Sequence, residues 1–505
     1  MEFGFENKVV NIYREVSHQT KRIQETMESV VPDTNDDIGR IASVQTAVLM
    51  KSKEVSSRGV TVTGELTAAL LYITEGEGGV SFLRLTKSFA LEYEVGEITG
   101  DELAQVKLSI QNCEARVLNP RKVSVTFDLM GEMSCYRDSS VLVRTELPAA
   151  APEGLYAKFE EAAMVAANTV TEKTFVMNEQ FVFPGGKPKP SQIVSQTVNF
   201  ILAESQMIGT KVIVKGSMFI SLCYLSAEVN YPVKAEFTAP FSQIIDTDRE
   251  QLEYCCAMIE LTSCYGDIVD AINGEKALDA EVHAVVQLVC YSRENVSYIS
   301  DAYSNLMPCD CAMQPRKLSV VSPVQSLKLS ADERINVVED CADVLSVFPT
   351  LSQTALLQDK FTAAVTLDIV YRTVGGTLCA VKRLVNMEAE VSAAQARLIE
   401  AHIADDYLRP DGANIDAHIT VEISYQLSSS QELNCVESVS LNEDAAYDPL
   451  QFPAVTLVRV ERESLWQLAK TYHSSVERIK EFNALDEGVE GKMLLIPKAN
   501  AVCQE

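Results

Sequence analysis

The chain has 505 residues and a formal net charge of −28, because 43 Lys and Arg residues stand against 71 Asp and Glu residues. At roughly 100–200 residues per domain, this length predicts three or four domains. A hydrophobic fraction of 47 % excludes a wholly disordered chain. The negative charge disfavours nucleic acid and insertion into or binding to anionic membranes, because such partners are held by clusters of Lys and Arg that this sequence lacks.

The N-terminal residues contain no basic segment followed by an apolar one, and no run approaches 18 apolar residues. We therefore expect neither a secretory signal nor a membrane-spanning helix, and a protein that stays in the cytosol. The 13 cysteines contain no CxxC pair and the five histidines are scattered, so no metal site and no cofactor are predicted. Buried, reduced thiols are the expected state of the cysteines.

Three segments, 60–72, 212–224 and 359–371, share one pattern of apolar residues at every second position, and each ends in a tyrosine. A period of two over 13 residues predicts a long strand with one face in a core. Gly64 and Gly216 lie on the apolar face of the first two segments, which indicates a bend or close backbone packing. Ala363 takes this place in the third segment.

A second alternating segment follows each of these strands, at 123–135, 278–290 and 415–425. Each is preceded by turn residues, which are Asn119-Pro120-Arg121, Asn273-Gly274-Glu275 and Pro410-Asp411-Gly412. A further apolar run precedes each turn, so each turn predicts a hairpin. The chain is thus expected to be mainly β, with three tandem units that close as sandwiches or barrels. The Ala- and Glu-rich stretch 152–171 is predicted as a short helix between units, and the polar stretch 428–453 as a linker.

The repeated strand, the Pro-Gly-Gly-Lys-Pro segment at 184–188 with Ile193 after it, and Phe237-x-x-x-Phe241-Ser242 resemble the SPOCS domain family of spore coat and related proteins from endospore-forming Firmicutes. The resemblance covers about residues 1–440. It implies SPOCS-like β units at 1–150, 151–320 and 321–440, followed by a linker at 441–453 and a separate domain at 454–499.

Residues 455–499 have a different pattern. A short strand at 455–460 precedes Ser464, a candidate N-cap, and Leu465, Leu468, Ala469 and Tyr472 follow on one helical face. A second helix ends near Asn483, and Gly491–Pro497 reads as a final strand. This βααβ order, with Leu465-Trp466 in the first helix, Asn483-Ala484-Leu485 after the second and a terminal Leu-Ile-Pro, resembles a LysM domain.

LysM domains commonly bind N-acetylglucosamine-containing glycans beside their first helix. The resemblance places the ligand- or partner-binding residues at Arg462, Glu463, Ser464, Leu465, Trp466, Asn483 and Leu485. The family's loop usually reads Gly-Asp-Thr where this chain has Arg462-Glu463-Ser464. Side chains stand where glycine lets a loop approach a sugar, so we predict a protein contact here. The single tryptophan, Trp466, is expected to pack between helix and sheet.

No enzyme is predicted, because no catalytic motif stands in a suitable context and adjacent carboxylates such as Asp405-Asp406 are expected from 71 acids alone. His283 and His418 occupy the polar-facing positions of their strands.

Clostridial coat morphogenetic proteins of the SipL type share this layout. The resemblance therefore implies a structural adaptor of spore coat assembly, located in the mother-cell cytosol at the forespore surface. Its implied partner is the basement-layer protein, a SpoIVA-type ATPase, bound through LysM. The alternative is a protein that binds peptidoglycan or cortex glycan. The sequence leaves open the partner's identity, the oligomeric state and the arrangement of the three units.

Overall fold

The computed structural model describes residues 2–3, 6–76, 79–147, 151–247, 249, 252–271, 274–357, 359–391, 396–448, 453–485 and 491–498. As predicted, the protein is mainly β, and the two α-helices found in these ranges are short. Across these ranges, none of the helices has the length and apolarity needed to cross a bilayer. The same ranges hold no cluster of three or more His, Cys, Asp or Glu side chains suited to a metal ion.

One arrangement of strands occurs three times along the chain. After β1 (Glu2–Phe3), the first occurrence consists of β2 (Glu6–Val30), β3 (Ile38–Ser56), β4 (Gly59–Thr74), β5 (Val80–Glu94), β6 (Leu103–Asn119) and β7 (Lys122–Glu146). The middle three of these form an antiparallel sheet, and the last two form a hairpin. The long first strand, β2, lies along the outer side of β7 and pairs with it over the whole length of both strands.

The second occurrence comprises β8 (Leu155–Val182), β9 (Gln192–Ile208), β10 (Lys211–Leu225), β11 (Val233–Asp246), β12 (Tyr254–Asp270) and β13 (Lys276–Ser304). The third comprises β14 (Cys309–Val321), β15 (Gln325–Asn336), β16 (Cys341–Leu357), β17 (Lys360–Thr373), β18 (Leu378–Glu390), β19 (Ala396–Asp411) and β20 (Asn414–Leu441). In this third occurrence the long first strand is replaced by two shorter strands, β14 and β15, and both pair with β20.

The C-terminal segment contains β21 (Val455–Arg459), α1 (Leu465–Thr471), α2 (Val476–Asn483) and β22 (Met493–Pro497). The strands β21 and β22 pair antiparallel. A single turn of 3₁₀ helix at Glu443–Ala445 lies between β20 and this segment.

Each three-stranded sheet packs against its own hairpin, and three separate cores result. The alternating apolar residues found in the sequence form these cores, with Leu66, Met218 and Val365 fully buried. The tyrosines that end the repeated strands are buried as well, and two of them fix the start of the sheet. Tyr72 Oη donates a hydrogen bond to Asp36 O at 3.1 Å, and Tyr224 Oη donates one to Pro188 O at 2.8 Å.

The residues immediately before these tyrosines join the three sheets to each other. Leu71, Cys223 and Val370 point away from their own cores and pack into one shared cluster with Ala42, Val194 and Phe348. Each sheet therefore buries both faces, one in its own core and one against the other two sheets. A buried hydrogen bond from Val44 N to Asp368 Oδ2 at 3.1 Å crosses the same junction.

The outer halves of the long strands form a second shared core. This cluster draws side chains from β2, β7, β8, β13, β14 and β20, among them Ile12, Met164, Tyr298, Leu318 and Leu433. The three occurrences of the strand arrangement are consequently one packed body rather than a string of separate units.

Two predictions about local structure are wrong. The predicted helix at 152–171 is part of β8, where Met164, Val165 and Ala166 are all buried between two neighbouring surfaces. The linker predicted from residue 428 begins only after Leu441, because residues 428–441 form the end of β20 and pair with β14. Polar composition indicated a linker there, but a strand can carry polar residues on its solvent face.

The predicted hairpins are present. The turns at Asn119-Pro120-Arg121 and at Asp411-Gly412 join paired strands, and Gly274 joins β12 to β13 with a positive φ of 80°. Asn273 of the same turn lies outside the described residues. The 12 cysteines in the described ranges are free thiols, as the sequence indicated.

Candidate partner-binding site

The predicted site lies where the loop after β21 enters α1. Ser464 is the N-cap of this helix, and its hydroxyl accepts a hydrogen bond from Gln467 N at 3.2 Å. The Gln467 side chain accepts one in return from Ser464 N at 2.9 Å, which completes a capping box. The Ser464 side chain therefore has a structural role as the N-cap of α1.

Glu463 folds back on its own loop. Its carboxylate accepts hydrogen bonds from the backbone N–H groups of Glu461 and Arg462, both at 3.1 Å. Hydrogen bonds from the backbone N–H groups of Glu463 itself, Arg462 and Glu461 lower the pKa of the Glu463 carboxyl. The contact gives the loop a fixed shape although the glycine typical of LysM loops is absent, and it leaves the exposed Arg462 side chain at the surface.

Trp466 packs against the core of the C-terminal segment and also contacts the end of β13. Its Nε1–H donates a hydrogen bond to Asp301 Oδ2 at 2.8 Å. Its ring meets Tyr303 edge to face, with centroids 4.8 Å apart and planes at 77°. Lys470, one turn further along α1, binds the same carboxylate with its Nζ 2.8 Å from Oδ1.

Tyr303 belongs to the core of the C-terminal segment. Only 3 % of its surface is exposed, and it packs with Leu468, Ile479 and Leu494. Its hydroxyl donates a hydrogen bond to Ser474 O at 3.0 Å, and burial raises its pKa. The core of the C-terminal segment thus includes one side chain from β13.

Asn483 and Leu485 hold the other side of the segment together. The Asn483 side chain accepts a hydrogen bond from Leu495 N at 2.8 Å and donates one to Leu495 O at 2.5 Å, so it ties the end of α2 to the free edge of β22. Leu485 packs against the same core. Both residues thus have defined structural contacts, whereas the Arg462 side chain is exposed.

Sequence reasoning missed Asp301 and Tyr303. They lie more than 160 residues before the helix they contact, and a register shift in β13 between Ile299 and Asp301 sets where the Asp301 side chain projects. Periodicity cannot reveal such a residue, because the bulge interrupts it. The one signal in the sequence was Trp466 itself, a large aromatic residue near the start of a short helix, which indicates a packing partner outside the segment.

The two strand histidines have the surface positions that were predicted. His283 Nε2 lies 2.6 Å from Glu281 Oε1, and His418 Nδ1 lies 2.7 Å from Asp332 Oδ1. The His283–Glu281 pair lies within one strand and the His418–Asp332 pair joins two strands, and both are exposed. Exposed pairs of this kind contribute little to stability.

Comparison with known proteins gives one match. Residues 37–118 match the family model described as SipL, SPOCS domain. The matched residues coincide with β3, β4, β5 and β6, which are the first three-stranded sheet and the first strand of its hairpin. The match thus supports a SPOCS domain at this position. No curated protein and no solved structure matches the chain.

Proposed function

We propose that this protein is a non-enzymatic structural adaptor of endospore coat assembly. The observation that carries the proposal is the SPOCS match at 37–118 on a strand arrangement that recurs twice more, up to Leu441. We assign the two later occurrences, β8–β13 and β14–β20, as further SPOCS-like units. On this reading the first half of each unit builds the shared centre, and the three units give one rigid support.

The C-terminal segment is the proposed docking part, a LysM domain that binds a coat morphogenetic protein. The strand and helix order β21-α1-α2-β22 supports this assignment. The partner proposed is a basement-layer protein of the SpoIVA type, bound in the mother-cell cytosol at the forespore surface. Arg462 is the proposed contact, because Glu463 shapes its loop and leaves its guanidinium at the surface.

Charge distribution favours a protein partner for this part of the chain. Residues 453–498 carry seven Lys and Arg and seven Asp and Glu, so the whole net charge of −28 resides in the remainder. A neutral segment meets any acidic partner surface with less repulsion than the strongly acidic body would.

The test is a titration of the full-length protein with the basement-layer ATPase, followed by Trp466 emission and by co-purification. Arg462→Ala should weaken binding, by about 2 kcal/mol or more for a central contact and much less at a rim. Arg459→Ala is the matched control, because Arg459 is also an exposed arginine but lies on β21 outside the loop. Equal affinity of wild type and Arg462→Ala would remove the loop from the interface.

The alternative, binding of N-acetylglucosamine glycans, is tested on the same protein. Contacts with Asp301 and Tyr303 already hold the Trp466 indole and limit its access to a sugar. We therefore expect chitin and peptidoglycan oligomers to leave the Trp466 emission unchanged. A saturable response at micromolar oligosaccharide, abolished by Arg462→Ala, would replace the adaptor by a wall-binding function.

A further inference from the structure

Two half-buried thiols lie at the seam between the body and the C-terminal segment. Cys309 and Cys311 are separated by one residue in β14, so their side chains share one face of the strand. Both pack into the cluster that contains Ala302 and Val439. The sequence predicted inert core cysteines throughout, and the proposed adaptor function does not use this pair.

The two thiols lie on the same face of β14 and act on each other's pKa. Cys309 holds the pKa of the Cys311 thiol below its usual value, at about 7, and Cys311 raises that of Cys309. A thiolate is the reactive form of cysteine, and a partly exposed thiol of low pKa beside a second thiol is the arrangement of redox-sensitive cysteines. The charged and titratable groups that face the pair are Asp301, Asp310, Lys470 and Tyr447.

The position of Cys311 connects it to the docking contact of the C-terminal segment. Its S–H donates to Ala302 O at 3.2 Å, and Ala302 N donates to Asp301 Oδ1 at 2.9 Å. Asp301 is the carboxylate that holds Trp466 and Lys470. A change at the Cys311 sulfur is thus one peptide unit away from the residue that seats α1 on β13.

Another thiol pair in the chain provides an internal comparison. Cys255 and Cys290 are directly opposite each other on β12 and β13. Cys290 is fully buried in the core, and its pKa is raised. The two pairs differ in exposure, because Cys290 is buried whereas Cys309 and Cys311 are both half-buried. A reagent in solution should therefore reach the Cys309–Cys311 pair more easily.

We propose that Cys309 and Cys311 form a redox-modification site for hydroperoxides, whose oxidation loosens the C-terminal segment from the body. The Cys311 thiolate attacks one peroxide oxygen, the O–O bond breaks, and water or an alcohol leaves while Cys311 becomes a sulfenic acid. The Cys309 sulfur then attacks the Cys311 sulfur, a disulfide forms, and water leaves with the Cys309 proton. Two thiols lose two electrons and the peroxide gains them.

The strand geometry makes this disulfide reversible. Residues two apart in a strand have Cα atoms roughly 6.6 Å apart, close to the upper limit for a disulfide, which is about 6.8 Å. The bond therefore bends β14 and is readily reduced by cellular thiols. The bend moves the Cys311 sulfur relative to Ala302, the peptide beside Asp301. The site works whichever partner the C-terminal segment binds.

The first measurement maps alkylation of the folded, full-length wild type with iodoacetamide between pH 5.5 and 9. Cys311 should react at least about tenfold faster than Cys255 or Cys290 at pH 7, with a half-maximal rate near pH 7. Cys309→Ala should shift this midpoint upward by a unit or more. Equal reactivity of Cys311 and Cys290, or a midpoint near that of free cysteine, would overturn the site.

The second measurement adds hydrogen peroxide and follows the emission of Trp466, the only tryptophan. Oxidation of the wild type should shift the emission to the red, because the indole leaves Tyr303, and dithiothreitol should reverse the shift. Cys311→Ser should abolish the response, and Cys255→Ser should leave it intact. A Cys309–Cys311 disulfide that forms without any change in emission would refute the link to docking, and a response that survives in Cys311→Ser would assign it to other residues.

Discussion

Substitution of Gly216 tests the close packing at the centre of the second unit. The Cβ of an alanine at this position would stand 2.2 Å from Ile201 O and 2.8 Å from the Phe241 ring, whereas Cβ atoms do not normally come closer than 3.0 Å to another atom. The ring can rotate away, but the carbonyl belongs to the neighbouring strand β9. A register shift between Lys215 and Gly216 fixes this carbonyl in place. The backbone of β9 or β10 therefore has to move.

Overpacking of this kind costs about 1–3 kcal/mol. Gly216→Ala belongs in this range and Gly216→Val at its upper end or beyond, because valine adds two further carbons on the same face. In a unit of 150–250 residues each kcal/mol lowers Tm by roughly 2–4 °C. The fully buried neighbours Met218 and Ile220 leave no space to absorb the change.

The assay is hydrogen–deuterium exchange by mass spectrometry alongside calorimetry of the full-length protein, since a body with several cores need not unfold in one step. Faster exchange is expected in peptides from β9, β10 and β11. Gly185→Ala is the control, because its added Cβ meets no atom within 4 Å, and surface changes of this kind stay within about 0.5 kcal/mol. Wild-type exchange and Tm in Gly216→Val would refute the assignment of Gly216 to a tight buried contact.

Three further predictions concern charge, capping and chain order. Burial raises the pKa of the Glu102 carboxyl, but hydrogen bonds from Thr99 N, Gly100 N and Arg137 outweigh the effect of burial and lower the pKa to about 2. The ionised Glu102 carboxylate therefore contributes fully to stability above pH 4.5, and this contribution is lost as the pH falls towards 2. In urea titrations Glu102→Gln should therefore cost about 2 kcal/mol at pH 7 and much less at pH 2, and a cost that is the same at both pH values would contradict this. Ser464→Ala should destabilise α1 by about 1 kcal/mol and Ser464→Gly by only a few tenths, read from the denaturant midpoint of Trp466 emission, while equal midpoints for wild type and Ser464→Ala would count against the cap. Limited proteolysis should spare residues 428–441, because they pair with β14, and should cut between 442 and 453 first; early cleavage within 212–224 would contradict the domain order.

Period-two patterns in the amino-acid sequence determine much of the fold. They placed the three repeated strands, because a half-buried strand exposes alternate residues to core and solvent whatever surrounds it. The turn residues placed the hairpins for a similar local reason. Helix caps are local too, and Ser464 was recognised from its neighbours alone.

The glycine at the centre of the strand shows where local information ends. Gly64 and Gly216 pair with Phe89 and Phe241, while Ala363 pairs with Met387. In the first two sheets a bulge lies beside the glycine, but in the third it lies two residues further along, between Val365 and Ala364. The sequence indicated close packing at this position of the repeated strand. Only the position of the bulge in the neighbouring strand explains why Ala363 fits in the third unit.

The joining of the units depended on tertiary structure alone. Leu71, Cys223 and Val370 occupy the face that period two assigns to solvent, and they are buried because three sheets meet there. The linker predicted from residue 428 became a strand for the same reason, since β14 pairs with it. Asp301 reaches Trp466 across more than 160 residues of chain. Local patterns fix the direction of each side chain relative to its strand, but what lies in that direction is set by elements far away in sequence.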